Sequence, residues 1–147
     1  MLFWIIAIVV LILDRGVKFL VTAYMELGQT IPVIKGFFHI TFVKNPGAAF
    51  GILTDKKWFF IIVTIVVLIL LFYLVYTIGQ QSAFLSITIG LVAGGAMGNL
   101  IDRIHSGLVV DYLDFRGIWP YVFNIADSAI VIGVILLSWQ LIRSEVK

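Results

Sequence analysis

Hydrophobic residues occur in four long runs, and most polar residues lie between these runs. The first run, Leu2 to Leu13, continues through three charged residues to about Tyr24. The other runs are Trp58 to Ile78, Ala83 to Ile101 and Val122 to Ile142. Because a helix rises ~1.5 Å per residue, roughly 20 residues cross a hydrocarbon core of about 30 Å. The pattern therefore predicts four transmembrane helices.

The segment between the first two runs has a different pattern. Thr30 to Val43 alternates imperfectly and is rich in Ile, Val, Phe and Thr, which is typical of short β-strands. We expect a strand pair, or cradle, lying on the membrane surface. The predicted fold class is an all-α membrane protein of four transmembrane helices with a small β-cradle between helices 1 and 2.

The composition agrees with this prediction. Hydrophobic residues make up 62% of the 147 residues, charged residues 12%, and the mean hydropathy is +1.15, which exceeds the apolar content of soluble domains. At this length we expect one domain, residues 1–147, so the membrane part must carry the function. The absence of Cys excludes disulfides, a thiol nucleophile and cysteine-ligated metals. A net charge of +2 without a basic cluster gives no indication of nucleic-acid binding.

Conspicuous polar residues are expected at one membrane face. An antiparallel arrangement of four helices places the 1–2 and 3–4 connections on that face, and the termini with the short turn Gly79 to Ser82 on the other. Carboxylates are costly near hydrocarbon, so an ionisable residue there is by default a functional-site hypothesis. The leading candidates are Asp111 in VVDYLDF and Asp127 in FNIADS.

Several polar pairs also have an ordinary structural explanation. Asp14 and Lys18 are spaced i,i+4, so they could form an intrahelical ion pair that neutralises itself near the interface. Asn124 and Asp127 stand in the N-cap and N3 relation, so Asp127 could simply cap helix 4. These readings remain open beside the functional ones.

Helix 3 carries two further features. Glycines spaced by four along it predict close approach of another helix: Gly90, Gly94 and Gly98. Asn99, Asp102 and Arg103 follow at its end, where a charged pair could merely anchor the helix in the headgroups. His39 and His105 lack partners at metal-ligand spacing, and we expect both at the surface or interface.

Five strings taken together resemble the lipoprotein signal peptidase family, signal peptidase II. They occur in the family's order and cover essentially the whole chain: DRGVK at 14–18, NPGAAFG at 45–51, GGAMGNLIDR at 94–103, VVDYLDF at 109–115 and FNIADS at 123–128. The resemblance implies a bacterial membrane aspartyl endopeptidase that removes the signal peptide of prolipoproteins, just before a cysteine already carrying diacylglycerol. It implies Asp111 and Asp127 as the catalytic residues.

The resemblance also implies roles for the other motif positions. Those expected to bind substrate or orient the catalytic pair are Asn45, Asn99, Arg103 and Asn124. Those expected to be structural are Asp14, Lys18, Gly47, Asp102 and Ala126. We expect no metal or other cofactor, contacts with membrane lipids and with the prolipoprotein, and a monomer. The implied location is the bacterial cell membrane, with several spans, cytoplasmic termini, and the cradle and active site near the extracytoplasmic face.

Two carboxylates can perform this chemistry. One must be ionised to take a proton from water, while the other is protonated and polarises the scissile carbonyl. Like charges ~3 Å apart cannot both ionise easily, so the pair titrates as a unit. VVDYLDF contains a second carboxylate, Asp114, which points away from Asp111 if the segment is extended and shares its face if the segment is helical. The family motif selects Asp111.

Two other functions are weighed against a peptidase of this type. A proton-coupled carrier would place ionisable groups near the bilayer midplane and often shows two related halves, whereas these groups cluster at one surface and no repeat is visible. A membrane serine protease would need a Ser–His pair, and no GxSxG elbow occurs.

Charge counting argues against the implied topology. Basic residues on the supposed outer face are Lys35, Lys44, Lys56, Lys57 and Arg116, against Arg143 and Lys147 on the inner face. The positive-inside rule therefore points the other way. We keep the topology that the resemblance implies, because charges in a folded surface segment are weak topology signals.

Overall fold

A computed structural model describes residues 1–47, 56–78 and 82–145. The elements in chain order are α1 (Leu2–Tyr24), β1 (Thr30–Ile34), β2 (Phe38–Asn45), α2 (Lys57–Thr77), α3 (Ala83–Ser106), β3 (Val109–Phe115) and α4 (Ile125–Glu145). The four helices and the strand pair predicted from the sequence are confirmed. Most of the predicted turn at 79–82 lies outside the described residues.

Several helix boundaries differ from the prediction by one to five residues, and two of these differences have a clear structural reason. α3 continues five residues beyond Ile101 to Ser106 and is capped by Gly107, which has a left-handed φ of +79°. The apolar run underestimates the length of α3 because polar residues in the last turns of the helix have hydrogen-bond and ion-pair partners inside the protein. α4 begins at Ile125, three residues late, because Asn124 caps it: the Asn124 Oδ1 accepts the Asp127 N–H at 2.8 Å.

α3 is the central helix, and the other three helices pack around it. Its glycines permit this close approach. A Cβ on Gly90 would lie 2.9 Å from the Phe3 carbonyl oxygen, and one on Gly94 would lie 2.6 Å from that of Ala7. The predicted packing role of the small-residue stripe is confirmed.

α1 faces α3 with one stripe and exposes most of its remaining apolar surface. The buried residues recur every three or four positions: Phe3, Ala7, Val10, Asp14, Lys18 and Val21. Asp14 and Lys18 therefore lie on the buried face of α1, on the same stripe as its buried apolar residues. Their charges are enclosed by protein and do not lie on the outer side of the bundle.

Two of the described helices are long and apolar enough by themselves to cross a membrane. These are Lys57–Thr77, with a mean hydropathy of 3.1, and Ala83–Ser106, with 1.7. α1 has sufficient length, but every 18-residue window of it contains Asp14, Arg15 and Lys18. The apolar helical stretch of α4, Ile125–Gln140, is shorter.

The strands form a three-stranded antiparallel sheet in the order β1-β2-β3. The third strand comes from the chain after α3, so the segment Val109–Phe115 is extended, and the helical alternative is excluded. β3 pairs with β2 in a register that sets Asp111 opposite Val43. Phe123 forms a bridge with Leu113, which brings the start of α4 against the same strand.

Candidate active site

Asp111 and Asp127 reach the site from different elements. Asp111 lies on β3 and is 2% exposed, whereas Asp127 lies in the first turn of α4 and is partly exposed. Asn124 joins them. Its Nδ2 donates to the Asp111 Oδ1 at 2.6 Å, and its backbone N–H donates to the Asp127 Oδ2 at 3.3 Å. The two carboxylates therefore lie on either side of one asparagine.

Two more asparagines supply the remaining donors. The Asn45 Nδ2 donates to the Asp111 Oδ2 at 3.0 Å, and the Asn99 Nδ2 donates to the Asp127 Oδ1 at 2.7 Å. Each of the four carboxylate oxygens thus accepts an N–H. The structure brings together both candidate carboxylates and three of the four residues that were expected to orient them or bind substrate.

Asp111 occupies an electrostatically unfavourable position for a charge. Burial and the neighbouring carboxylate of Asp127 raise the pKa of Asp111 to about 7, although the amides of Asn45 and Asn124 oppose this shift. A carboxyl group of this kind changes its protonation state near neutral pH.

Arg103, the fourth of these residues, lies at the edge of the site. Its Nη2 donates to the Gly47 carbonyl oxygen at 3.3 Å, and its guanidinium lies 4.9 Å from the centre of the Phe60 ring. Arg103 does not pair with Asp102, which faces α1. Asp102 pairs instead with Arg15 and Lys18, so no ion pair between Asp102 and Arg103 is formed, and a role of either residue as a headgroup anchor stays a prediction.

A buried group of charges lies behind the site. The Lys18 Nζ is 2.9 Å from the Asp14 Oδ2 and 2.8 Å from the Asp102 Oδ2. The predicted i,i+4 ion pair is confirmed, but it is enclosed, since Lys18 is 1% and Asp14 0% exposed. Arg15 also pairs with Asp102. The two acids and two bases balance each other, which such burial requires.

The same carboxylates hold the backbone beside the candidate pair. The Asp14 Oδ1 accepts the Ala126 N–H at 3.1 Å, and the Asp102 Oδ2 accepts the Val110 N–H at 3.3 Å. Gly98 leaves room for this contact, because a Cβ there would lie 2.5 Å from the Asp14 Oδ2. Each acid therefore holds a residue directly adjacent to Asp127 or Asp111.

Sequence reasoning missed two residues of this region. Arg15 lies within the DRGVK string and was not singled out, although it pairs with Asp102. Tyr112 is 1% exposed, and its Oη accepts the Ile125 N–H at 3.2 Å, which ties β3 to the start of α4. Burial raises the pKa of the Tyr112 hydroxyl above its ordinary range. Side chains alternate between the two faces of a strand, so Tyr112 faces away from Asp111 on β3. That alternation is the sequence signal that could have identified Tyr112.

Asp114 lies apart from the asparagine cluster. It accepts hydrogen bonds from the Thr41 Oγ1 at 2.6 Å and from the Arg116 Nε at 3.0 Å. Partial burial favours its neutral form, but these two donors outweigh that effect and lower the pKa of Asp114. On an extended β3, Asp111 and Asp114 point to opposite sides of the sheet.

The two histidines differ from each other. His105 is exposed, as predicted, whereas His39 is only 7% exposed, so its expected surface position is wrong. His39 lies on β2 opposite Asp114 of β3. This pairing joins distant parts of the chain, so the residues next to His39 in sequence do not reveal its burial. Among the described residues, no group of three or more His, Asp or Glu side chains is placed to hold a metal ion.

Comparison with known proteins identifies the family. A family model described as signal peptidase (SPase) II matches residues 6–143. The lipoprotein signal peptidase of Desulfitobacterium hafniense (strain DSM 10664 / DCB-2) is 50% identical over 147 residues, covering 100% of this chain and 97% of that protein. The lipoprotein signal peptidase of Halothermothrix orenii is 50% identical over 143 residues, covering 97% of this chain and 96% of the relative.

Solved structures agree in fold. A bacterial membrane enzyme determined by the in meso method at 2.3 Å resolution superposes with a TM-score of 0.91 at 41% identity, covering 96% of this chain and 87% of that one. A second such structure, at 1.9 Å resolution, gives a TM-score of 0.85 at 42% identity, covering 93% and 90%. The protein is thus a membrane-embedded peptidase, and the chain belongs to the signal peptidase II family.

Proposed function

We propose that this protein removes the signal peptide from lipid-modified prolipoproteins and that Asp111 and Asp127 are its catalytic pair. The relatives that match the whole chain are lipoprotein signal peptidases, which supports the substrate class. The observation that carries the mechanism is the position of Asn124, which donates to one oxygen of each carboxylate. The proposed cleavage site is the peptide bond directly before the lipid-modified cysteine.

The surroundings of the two carboxylates favour different roles. Asp111 is 2% exposed with a pKa near 7, which suits the carboxyl that keeps a proton and polarises the scissile carbonyl. Asp127 is partly exposed and accepts N–H donors from Asn99 and Asn124, which suits the ionised base that takes a proton from water. That proton then passes to the leaving amine, so the pair returns to its starting state.

Arg103 is proposed to bind the substrate backbone. Its contacts with the Gly47 carbonyl oxygen and with the Phe60 ring hold the guanidinium beside the pair. Both partners are uncharged, so the guanidinium keeps its positive charge. A guanidinium has five N–H donors, so further donors remain for peptide carbonyl groups. A substrate held in this way would present its scissile bond between Asp111 and Asp127.

Four membrane spans are proposed, although only two helices are sufficiently apolar by themselves. The charged groups of α1 are neutralised by ion pairs inside the bundle, so hydropathy overstates the free-energy cost of placing this helix in the membrane. Ring contacts support antiparallel neighbours: Trp4 stacks on Phe72 at 5.6 Å, and Phe84 meets Trp139 at 5.7 Å. Helix beginnings thus lie beside helix ends.

We propose that both termini lie in the cytoplasm and that the active site lies near the extracytoplasmic face. We also propose that the protein is a monomer surrounded by membrane lipids.

The test is cleavage of a diacylglyceryl-modified prolipoprotein by the purified protein in detergent. Asp111→Asn and Asp127→Asn should each lower the rate by at least about 100-fold, since each removes a group that transfers or holds a proton. Elution of both variants as folded protein in size-exclusion chromatography is the control. Substantial turnover by either variant would contradict the assignment of the pair.

A further inference from the structure

The Lys18 ammonium group lies within 3 Å of three acceptor side chains. It forms ion pairs with the carboxylates of Asp14 and Asp102, and as a third contact it donates a hydrogen bond to the Asn99 Oδ1 at 2.9 Å. Neutralising one buried cation requires only one carboxylate, and two are present. The third contact links this charge group to a residue that contacts Asp127.

This third contact determines which way the Asn99 amide faces. An ammonium group can only donate, so it must face the amide oxygen, and the amide N–H₂ is left to donate to the Asp127 Oδ1 at 2.7 Å. A flipped amide would set its N–H₂ against the Lys18 ammonium and its oxygen against the Asp127 carboxylate. Both contacts of the flipped form would be repulsive.

The other donor to the Asn99 oxygen is weaker. It is the Asn124 Nδ2, at 3.2 Å, and that group makes a much shorter bond of 2.6 Å to Asp111. The same Nδ2 also lies 3.3 Å from the Val110 carbonyl oxygen, so its two hydrogens are shared among three acceptors. Lys18 is therefore the principal group holding the Asn99 oxygen.

We propose that Lys18 is a positioning residue for the reaction, which acts through the Asn99 amide to keep an N–H donor on Asp127. This inference rests on the proposed catalytic role of Asp127. Lys18 is 1% exposed and lies behind the pair, so it has no contact with substrate. Its loss would affect the chemical step and leave substrate binding unchanged.

A purely structural role makes a different prediction. If Lys18 only compensates buried charge, then Lys18→Met harms the protein by leaving one carboxylate unbalanced. The double variant Asp14→Asn with Lys18→Met restores neutrality, because Asp102 keeps Arg15 as its partner. Asn at position 14 also keeps an acceptor oxygen for the Ala126 N–H. The positioning role predicts that this double variant stays slower than Asp14→Asn alone, which keeps Lys18 and has the same altered contact with Ala126.

The experiment measures kcat and KM for signal-peptide release by the wild type, Asp14→Asn, Lys18→Met and the double variant, per amount of folded protein. Lys18→Met should show a kcat about 10- to 100-fold below the wild type, and the double variant a kcat lower by a similar factor than Asp14→Asn, as expected for a displaced reacting group, each with an unchanged KM. Val10→Ala is the matched control, because Val10 is buried in the same stripe of α1, eight residues before Lys18, and has no polar group to orient the Asn99 amide. It should lower the melting temperature and leave kcat unchanged.

Each other result overturns the inference. Recovery of kcat in the double variant would show charge compensation only, and a raised KM with unchanged kcat would show a role in binding. A double variant that does not fold would assign Lys18 to the fold itself. Asp111→Asn and Asp127→Asn in the same assay separate the two proposals: if they are active, the catalytic pair is wrong, and if they are inactive beside an active double variant, only the role of Lys18 is wrong.

Discussion

Asn124 combines a local and a long-range role. Its side chain accepts the Asp127 N–H, and the Asp127 carboxylate accepts the Asn124 N–H, which is the reciprocal arrangement of a capping box. The capping explanation of Asp127 is therefore confirmed as geometry. It uses only one oxygen of Asp127, and the other accepts from Asn99. Capping and the proposed chemistry thus share residues without competing for the same atoms.

Asp114 provides a test of which carboxylate of VVDYLDF matters. Because Asp114 is bound to Thr41 and Arg116 on the opposite side of β3, Asp114→Asn should keep most of the cleavage activity. Asp111→Asn, assayed with the same prolipoprotein at matched amounts of folded protein, should be inactive. An inactive Asp114→Asn beside an active Asp111→Asn would mean that the motif had been aligned onto the wrong carboxylate.

Asp111 should also make stability depend on pH. Its pKa is raised from 3.8 to about 7 in the folded protein, so the folded state holds the proton more tightly than the unfolded state. The stabilisation is complete below about pH 4 and is lost as the pH rises through about 7, with an upper limit of about 4 kcal/mol. The melting temperature in detergent should therefore fall from about pH 5 to pH 8. A variant Asp111→Asn with the same pH slope as the wild type would argue against this linkage.

At the scale of elements, the contact between α1 and α3 sets the spacing of the buried charges. α3 approaches the backbone of α1 so closely that small residues are required at Gly90 and Gly94, and Gly98 leaves room for the Asp14 carboxylate. The same approach places Asp14 of α1 beside the start of α4, where it accepts the Ala126 N–H. Helix packing and site geometry therefore depend on the same glycines.

Gly94→Ala should destabilise the protein. The new Cβ would lie 2.6 Å from the Ala7 carbonyl oxygen, which is backbone and cannot move aside without shifting α1. We expect a loss of about 1–3 kcal/mol, seen as a lower melting temperature in detergent. Gly16→Ala is the control, because a Cβ there meets nothing within 4 Å. It should not be destabilising, since alanine favours a helix over glycine by up to ~1 kcal/mol. Equal effects of the two substitutions would contradict a packing role.

At the scale of the whole molecule, most large apolar side chains on the helices face outward, and the polar groups gather where α3 ends and α4 begins. Exposed residues of α2 include Trp58, Ile62 and Ile69, as expected for a helix facing lipid. The three-stranded sheet lies at this same polar end of the helix bundle. This division supports an active site near one membrane face.

Reporter fusions test the proposed topology. Cytoplasmic reporters fused to both termini should be active, and reporters inserted at Gly28 and Gly117 should be extracytoplasmic. These two glycines suit insertion, because each has a positive φ and no neighbour within 4 Å of an added Cβ. Termini on opposite sides of the membrane would exclude four spans, and the reverse orientation would show that the positive-inside rule holds for this protein.

Local features of the chain were predictable because they depend on near neighbours. The lengths of the apolar runs determined the four helices, and the spacings of Asp14 with Lys18 and of Asn124 with Asp127 determined an ion pair and a cap. These contacts close within one helical turn, so the periodicity of the helix suffices to predict them.

Contacts between distant parts of the chain were decided by the tertiary structure alone. The bond from Lys18 to Asn99 joins residues 81 apart, and the bond from Asn45 to Asp111 joins residues 66 apart. The burial of His39 likewise follows from how the strands assemble. Such pairings depend on which faces of α3 and β3 meet their neighbours, and no local pattern encodes that choice. The sequence by itself therefore determined the helices and the candidate residues, whereas packing around α3 decided which of those residues contact one another.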